Sequence, residues 1–132
     1  MDENQFKQRT KRLALRIIEI VESLPNNRTA DVLGRQLLRS GTSMGANYRA
    51  ACRGKSTADV IAKLRIVEEE ADESVYWMEL LIESGLVSEA RLSELLQETN
   101  EIIAMTVASI RTLQKRGASS PINRQSKIEN LK

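Results

Sequence analysis

Chemistry in a protein chain needs nucleophiles, proton carriers or metal ligands, and this sequence offers few. Its densest cluster of reactive side chains is the carboxylate run Glu68, Glu69, Glu70, Asp72, Glu73, Glu79 and Glu83. Helical bundles use such carboxylates to hold paired iron ions, but those sites also need Glu-x-x-His motifs, and this chain of 132 residues has no histidine. The same absence removes Ser-His and Cys-His nucleophile pairs. The single cysteine, Cys52, lies in a lane of small residues where a packed, inert thiol is expected. Gly41-Thr42-Ser43-Met44-Gly45 has the flavour of a phosphate loop, but lacks the lysine and the preceding strand that such a loop requires. No enzymatic activity, metal or cofactor is expected, and the acids read as a solvated or ion-paired face.

What remains is arginine. The stretch LGRQLLRSGTSMGANYRAACRGKS, residues 33–56, sorts into three stripes when wound as a helix at about 100° per residue. Arg28, Arg35, Arg39, Arg49 and Arg53 share one narrow arc. Leu33, Leu37, Met44, Tyr48 and Ala51 lie opposite, as a core face. Ala30, Gly34, Gly41, Gly45 and Cys52 form a small-residue lane between them. Interior glycines cost about 0.5–1 kcal/mol each relative to alanine, so Gly34, Gly41 and Gly45 predict compensation by close approach of another helix, or else a local break around Ser40-Gly41-Thr42.

The arginine stripe has two readings. It can pair with acids of the third helix, above all Glu69, Asp72 and Glu79. Glu68, placed between Ile61 and Val75 on an apolar face, also needs a partner that an arginine could supply. Alternatively the stripe meets an anionic partner, most naturally nucleic-acid backbone. Lys7, Arg9, Lys11 and Arg12 near the start, and Lys115, Arg116, Arg124 and Lys127 near the end, add phosphate-attracting charge. No aromatic platform accompanies these bases, so base stacking is not expected.

Charge is unevenly spread although the net is only +2. Residues 1–65 carry thirteen bases and six acids, residues 66–110 one base and eleven acids, and residues 111–132 six bases and one acid. Folding back would therefore set acidic elements beside basic ones.

Four segments must position these groups, predicted at about 3–24, 29–53, 57–84 and 88–116. The first carries Phe6, Thr10, Leu13, Ile17, Ile20 and Leu24 in alternating steps of four and three, the pattern of a bundled helix. Leu15 and Ile18 widen that stripe. Pro25-Asn26-Asn27 breaks the chain, Gly54 stops the second segment, and Ser56-x-x-Asp59 resembles a capping box opening the third. Val60, Leu64, Val67, Ala71, Ser74, Met78 and Leu81 form the third core stripe, with Ile66, Trp77 and Leu80 as a second apolar patch. Gly85-Leu86 fits a Schellman ending. Leu92, Leu95, Thr99, Ile102, Thr106 and Leu113 complete the fourth. Nothing alternates as a strand would. Short connections force neighbours antiparallel, so the fold class is all-α, an up-down-up-down four-helix bundle over residues 1–116, with residues 117–132 as a disordered, flexible tail. No apolar run approaches the length of a membrane span, MDENQFKQRTKR lacks the core of a secretion signal, and a lone cysteine suits a reducing compartment; a cytoplasmic protein is expected.

FKQRTKRLALRII, the residue 33–56 stretch and LRIVEEEADESVYWMELLIESGLV together resemble the bacterial four-helix-bundle family encoded in intervening sequences of 23S rRNA genes, often labelled S23 ribosomal proteins. The resemblance covers about residues 5–115. It implies a homopentamer, and a fold similar to the accessory variability determinant of diversity-generating retroelements, a pentameric barrel that binds nucleic acid and a reverse transcriptase. On that implication the glycine groove (Gly34, Gly41, Gly45) and the Ile66–Trp77–Leu80 patch become candidate subunit contacts. The expected function is a non-enzymatic homo-oligomer binding RNA, or DNA, through phosphates. The alternative is an adaptor for an unidentified protein partner, its arginines consumed by ion pairs.

Overall fold

The computed structural model describes residues 2–119, and four helices fill them: α1 (Glu3–Glu22), α2 (Arg28–Cys52), α3 (Thr57–Glu83) and α4 (Glu89–Ser119). They run up-down-up-down, each packed on its neighbour in sequence, with α1 closing weakly on α4. No strand occurs among the described residues.

Local chemistry sets each boundary. Asp2 and Gln5 exchange side-chain-to-backbone hydrogen bonds in a full capping box at the start of α1. Ser23 ends α1 earlier than predicted, because its hydroxyl and N–H both bond the carbonyl of Ile20. Asn27 caps α2 through Ala30 N–H at 2.8 Å. At α3, Ser56 accepts from Asp59 N–H, while the Asp59 carboxylate reaches Lys55 N–H rather than Ser56, one residue beyond an ordinary capping box. Gly85, at φ 79°, completes the Schellman ending, with Leu86 N–H bonded to the Leu81 carbonyl and Gly85 N–H to that of Ile82. The helix α4 passes through Gly117, where it was expected to stop near residue 116; only Gly85 takes the left-handed turn that ends a helix. The tail predicted over 117–132 lies outside the described residues from 120 on.

The core is aliphatic and continuous. Leu13, Ile17, Leu37, Met44, Val67, Met78, Leu81, Leu92, Leu95 and Ile102 are sealed from solvent. A second cluster of Ala51, Leu64 and Ile110 fills the end that carries the α2–α3 turn. Thr10, Thr99 and Thr106 occupy core positions because each hydroxyl donates to the carbonyl four residues back and leaves its methyl to the core. Ser40 and Ser74 share a 2.7 Å hydrogen bond across α2 and α3, also fully buried.

The glycine lane is filled by α1 of the same chain. A β-carbon on Gly34 would stand 3.0 Å from Leu24 Cδ1, one on Gly41 2.6 Å from Ile17 Cδ1, and one on Gly45 3.1 Å from Thr10 Oγ1. The predicted close helix is therefore present, but the reading of these glycines as a subunit contact is corrected: the groove has no room for a second molecule.

Candidate nucleic-acid interface

The five α2 arginines lie on its solvent face, all exposed. They divide by partner. Arg39 reaches across to α3, bonding Glu70 at 3.1 Å and Glu73, and Glu73 foremost stabilises its charged form. Arg35 pairs with Asp31 one turn back at 3.0 Å, with both side chains more than half exposed, a geometry of little energetic value. Arg49 and Arg53 form no ion pair among the described residues. The expected partners Glu69, Asp72 and Glu79 are thus replaced by Glu70 and Glu73, the α3 acids that Arg39 bonds. Glu68 is half-buried without an arginine bond. It lines a shallow groove with Arg65, Glu69, Asp72 and Ile103, so the predicted guanidinium partner is absent.

The basic start of α1 is largely spoken for by α4. Arg9 forks onto Glu98 at 2.7 and 2.8 Å, touches Glu101 at 3.2 Å and Met105 Sδ at 3.5 Å. This hydrogen-bonded guanidinium holds the Glu98 carboxyl below its ordinary range, with Arg12 and Arg16 adding smaller contributions of the same sign. Arg16 bonds Glu94 at 2.8 Å, and Lys7 pairs with Glu3. Lys7 and Arg9, predicted phosphate contacts, are engaged in the fold. Sequence reasoning looked to α3 for acids and missed α4, although Glu94, Glu98 and Glu101 repeat in steps of four and three, as a contact flank would.

The antiparallel topology does what no single stripe does. It puts the N-termini of α1 and α3 at the same end as the C-termini of α2 and α4. Contacts confirm the register: Phe6 stacks on Tyr48 with ring centroids 4.3 Å apart, and Ala51, Leu64 and Ile110 share a cluster. The half formed by residues 2–12, 43–71 and 103–119 holds twelve bases and six acids, whereas residues 13–42 and 72–102 hold five bases and eleven acids. On the basic half, Lys11, Arg49, Arg53, Lys55, Arg111 and Lys115 are exposed and form no ion pair among the described residues. Arg12 and Arg116 are exposed on the same half. Lys55 and Arg111 were missed; the parity of the helices would have found them. Arg124 and Lys127 lie outside the described residues.

The remaining candidates have structural employment. Trp77 packs on the core and donates its Nε1–H to Glu73 at 3.2 Å; Ile66 and Leu80 are half-buried beside it. Among the described residues, Leu15, Ile18, Val32 and Tyr76 are the large apolar side chains left exposed. Burial first, and the neighbouring Glu3 carboxylate second, push the Cys52 thiol up against a smaller opposing effect of Tyr48, which disfavours the thiolate that reactivity needs. Among the described residues no group of His, Cys, Asp or Glu is arranged to hold a metal ion, and no helix is long and apolar enough to cross a membrane.

A family model described as "23S rRNA-intervening sequence protein" matches residues 2–108. A crystal structure of a protein of unknown function from the S23 ribosomal protein family of Bacteroides thetaiotaomicron is 36% identical, covering 84% of this chain and 99% of that one, with a TM-score of 0.78. No curated protein matches the sequence.

Proposed function

From the chain's membership of the 23S rRNA-intervening sequence protein family, we propose a non-enzymatic, self-associating bundle of the cytoplasm that binds nucleic acid, RNA first, through its basic end. The observation that carries this reading is the gathering, at one end, of bases that form no ion pair among the described residues: Lys11 of α1, Arg49 of α2, Arg53 and Lys55 of the α2–α3 turn, and Arg111 and Lys115 of α4. Phosphate contacts need no catalytic group and no pocket, and the charges act additively along a backbone. The family description names an rRNA-gene element, which makes RNA the first ligand to test. Self-association rests on Val32, Tyr76 and the Ile66–Trp77–Leu80 flank, apolar surface that a single bundle leaves partly wet. Repetition of the basic end by symmetry multiplies a weak attraction. The adaptor reading keeps one specific support: Arg9, Arg16 and Arg39 are consumed by carboxylates.

The test separates the two sets of bases. Replacing Arg49, Arg53, Lys55 and Lys115 by glutamine leaves the melting temperature unchanged and lowers affinity for structured RNA at least about tenfold. Unchanged affinity in a folded quadruple variant refutes the basic end as the site.

A further inference from the structure

We infer that the ligand of the basic end is a base-paired nucleic-acid helix rather than a single strand, an inference that rests on the phosphate-binding reading above. The reason is where the aromatic rings are. The chain has one Phe, one Trp and two Tyr, and all four are placed. Phe6 is buried, and Tyr48 stacks on it with its phenol turned to Cys52, so the two rings on the basic half are committed to the fold. Tyr76 is exposed, with Trp77 set edge-on against it at 5.2 Å, but both belong to the acidic half. On the exposed face of α3, between Tyr76 and Arg65 of the basic half, stand Glu69 and Asp72 at helical spacing. A strand laid on the basic end therefore finds no ring for its bases, and reaching Tyr76 would take its phosphates past the Glu69 and Asp72 carboxylates.

That arrangement discriminates between ligands. Single-strand binders recover affinity by stacking bases on aromatic rings, roughly five- to hundredfold per base. A duplex has its bases already stacked and paired, so it loses nothing on a surface that offers only cations. It also carries twice the charge per unit length, one phosphate per about 1.7 Å of axis. The roughly 20 Å width of the bundle spans about twelve phosphates of a duplex, both strands counted, and those on the side turned to the protein meet its cations.

Fluorescence anisotropy of the intact protein, with an RNA duplex of about 20 base pairs and a uridine-rich single strand of equal length, decides the matter. The duplex is expected to bind at least about tenfold more tightly at equal salt, and Tyr76→Ala, whatever it does to self-association, is expected to leave the ratio of the two affinities unchanged. Equal or tighter single-strand binding that weakens with salt overturns the duplex inference and leaves the phosphate reading standing. So does a loss of single-strand affinity of about threefold or more in Tyr76→Ala that the duplex does not share, which would make that ring a stacking platform. If neither RNA binds, the phosphate reading fails and takes the inference with it.

Discussion

Replacing Gly41 by alanine sets two effects of known size against each other. In an unconstrained helix interior, alanine is worth about 0.8–1.0 kcal/mol over glycine. At this position the new β-carbon would stand 2.6 Å from Ile17 Cδ1 and 3.1 Å from its Cγ2, and Ile17 is fully buried with no free volume to retreat into. Overpacking a tight core costs about 1–3 kcal/mol, so the net is destabilisation by about 1 kcal/mol. The clash is mostly with one methyl, which Ile17→Val removes. Alone, that substitution costs about 0.5–1.5 kcal/mol, but combined with Gly41→Ala it relieves the overlap. A favourable coupling of about 1 kcal/mol is expected from the double-mutant cycle, measured by urea denaturation at fixed protein concentration. Additivity of the two changes within about 0.3 kcal/mol, or a Gly41→Ala protein more stable than wild type, would refute the contact.

Arg9→Gln should cost about 1 kcal/mol, a modest value because Arg9 and Glu98 keep 20% and 26% of their side chains exposed. Since Glu98 is held below its ordinary value of 4.5, its contribution is present above that pH and lost as the pH falls through the lowered value; the Arg9→Gln protein should lose less stability on acidification, read by melting temperature against pH. Ser40→Ala alone should cost about 1 kcal/mol, and adding Ser74→Ala little more, because the Glu70 carbonyl to which Ser74 donates keeps its partner within the helix and no hydroxyl is left unpaired; chemical denaturation of the three variants reads this. Light scattering should return a multiple of the 14.8 kDa chain mass, and Tyr76→Glu should reduce it without unfolding the bundle; a wild-type mass of one chain removes self-association.

Much of the fold was legible because apolar spacing, caps and breakers agree along the chain. Phe6, Thr10, Leu13, Ile17 and Ile20 announce α1 by period alone, and all five are buried. The glycine lane announced a close neighbour but could not name it, since a gap on one helix says nothing about which helix fills it. The site was harder for the same reason. Periodicity places Arg39 and Glu70 on faces, yet their pairing depends on the rotation of α3 about its axis, which the core stripe fixes only to within a residue. Arg9 and Glu98 are 89 positions apart, and no local pattern joins them.

The four seams of this bundle are not equal, and the difference has a kinetic consequence. Between α1 and α4 the joining is chiefly by side-chain tips, Arg9 to Glu98, Arg16 to Glu94, and Arg91 to Ser23 at 2.7 Å, whereas α2 and α3 are zipped along their whole length. Local opening follows the line of fewest buried contacts. The amides of α1 are therefore the first to exchange with solvent deuterium, and raised salt hastens them, while those of α3 persist until the whole molecule opens.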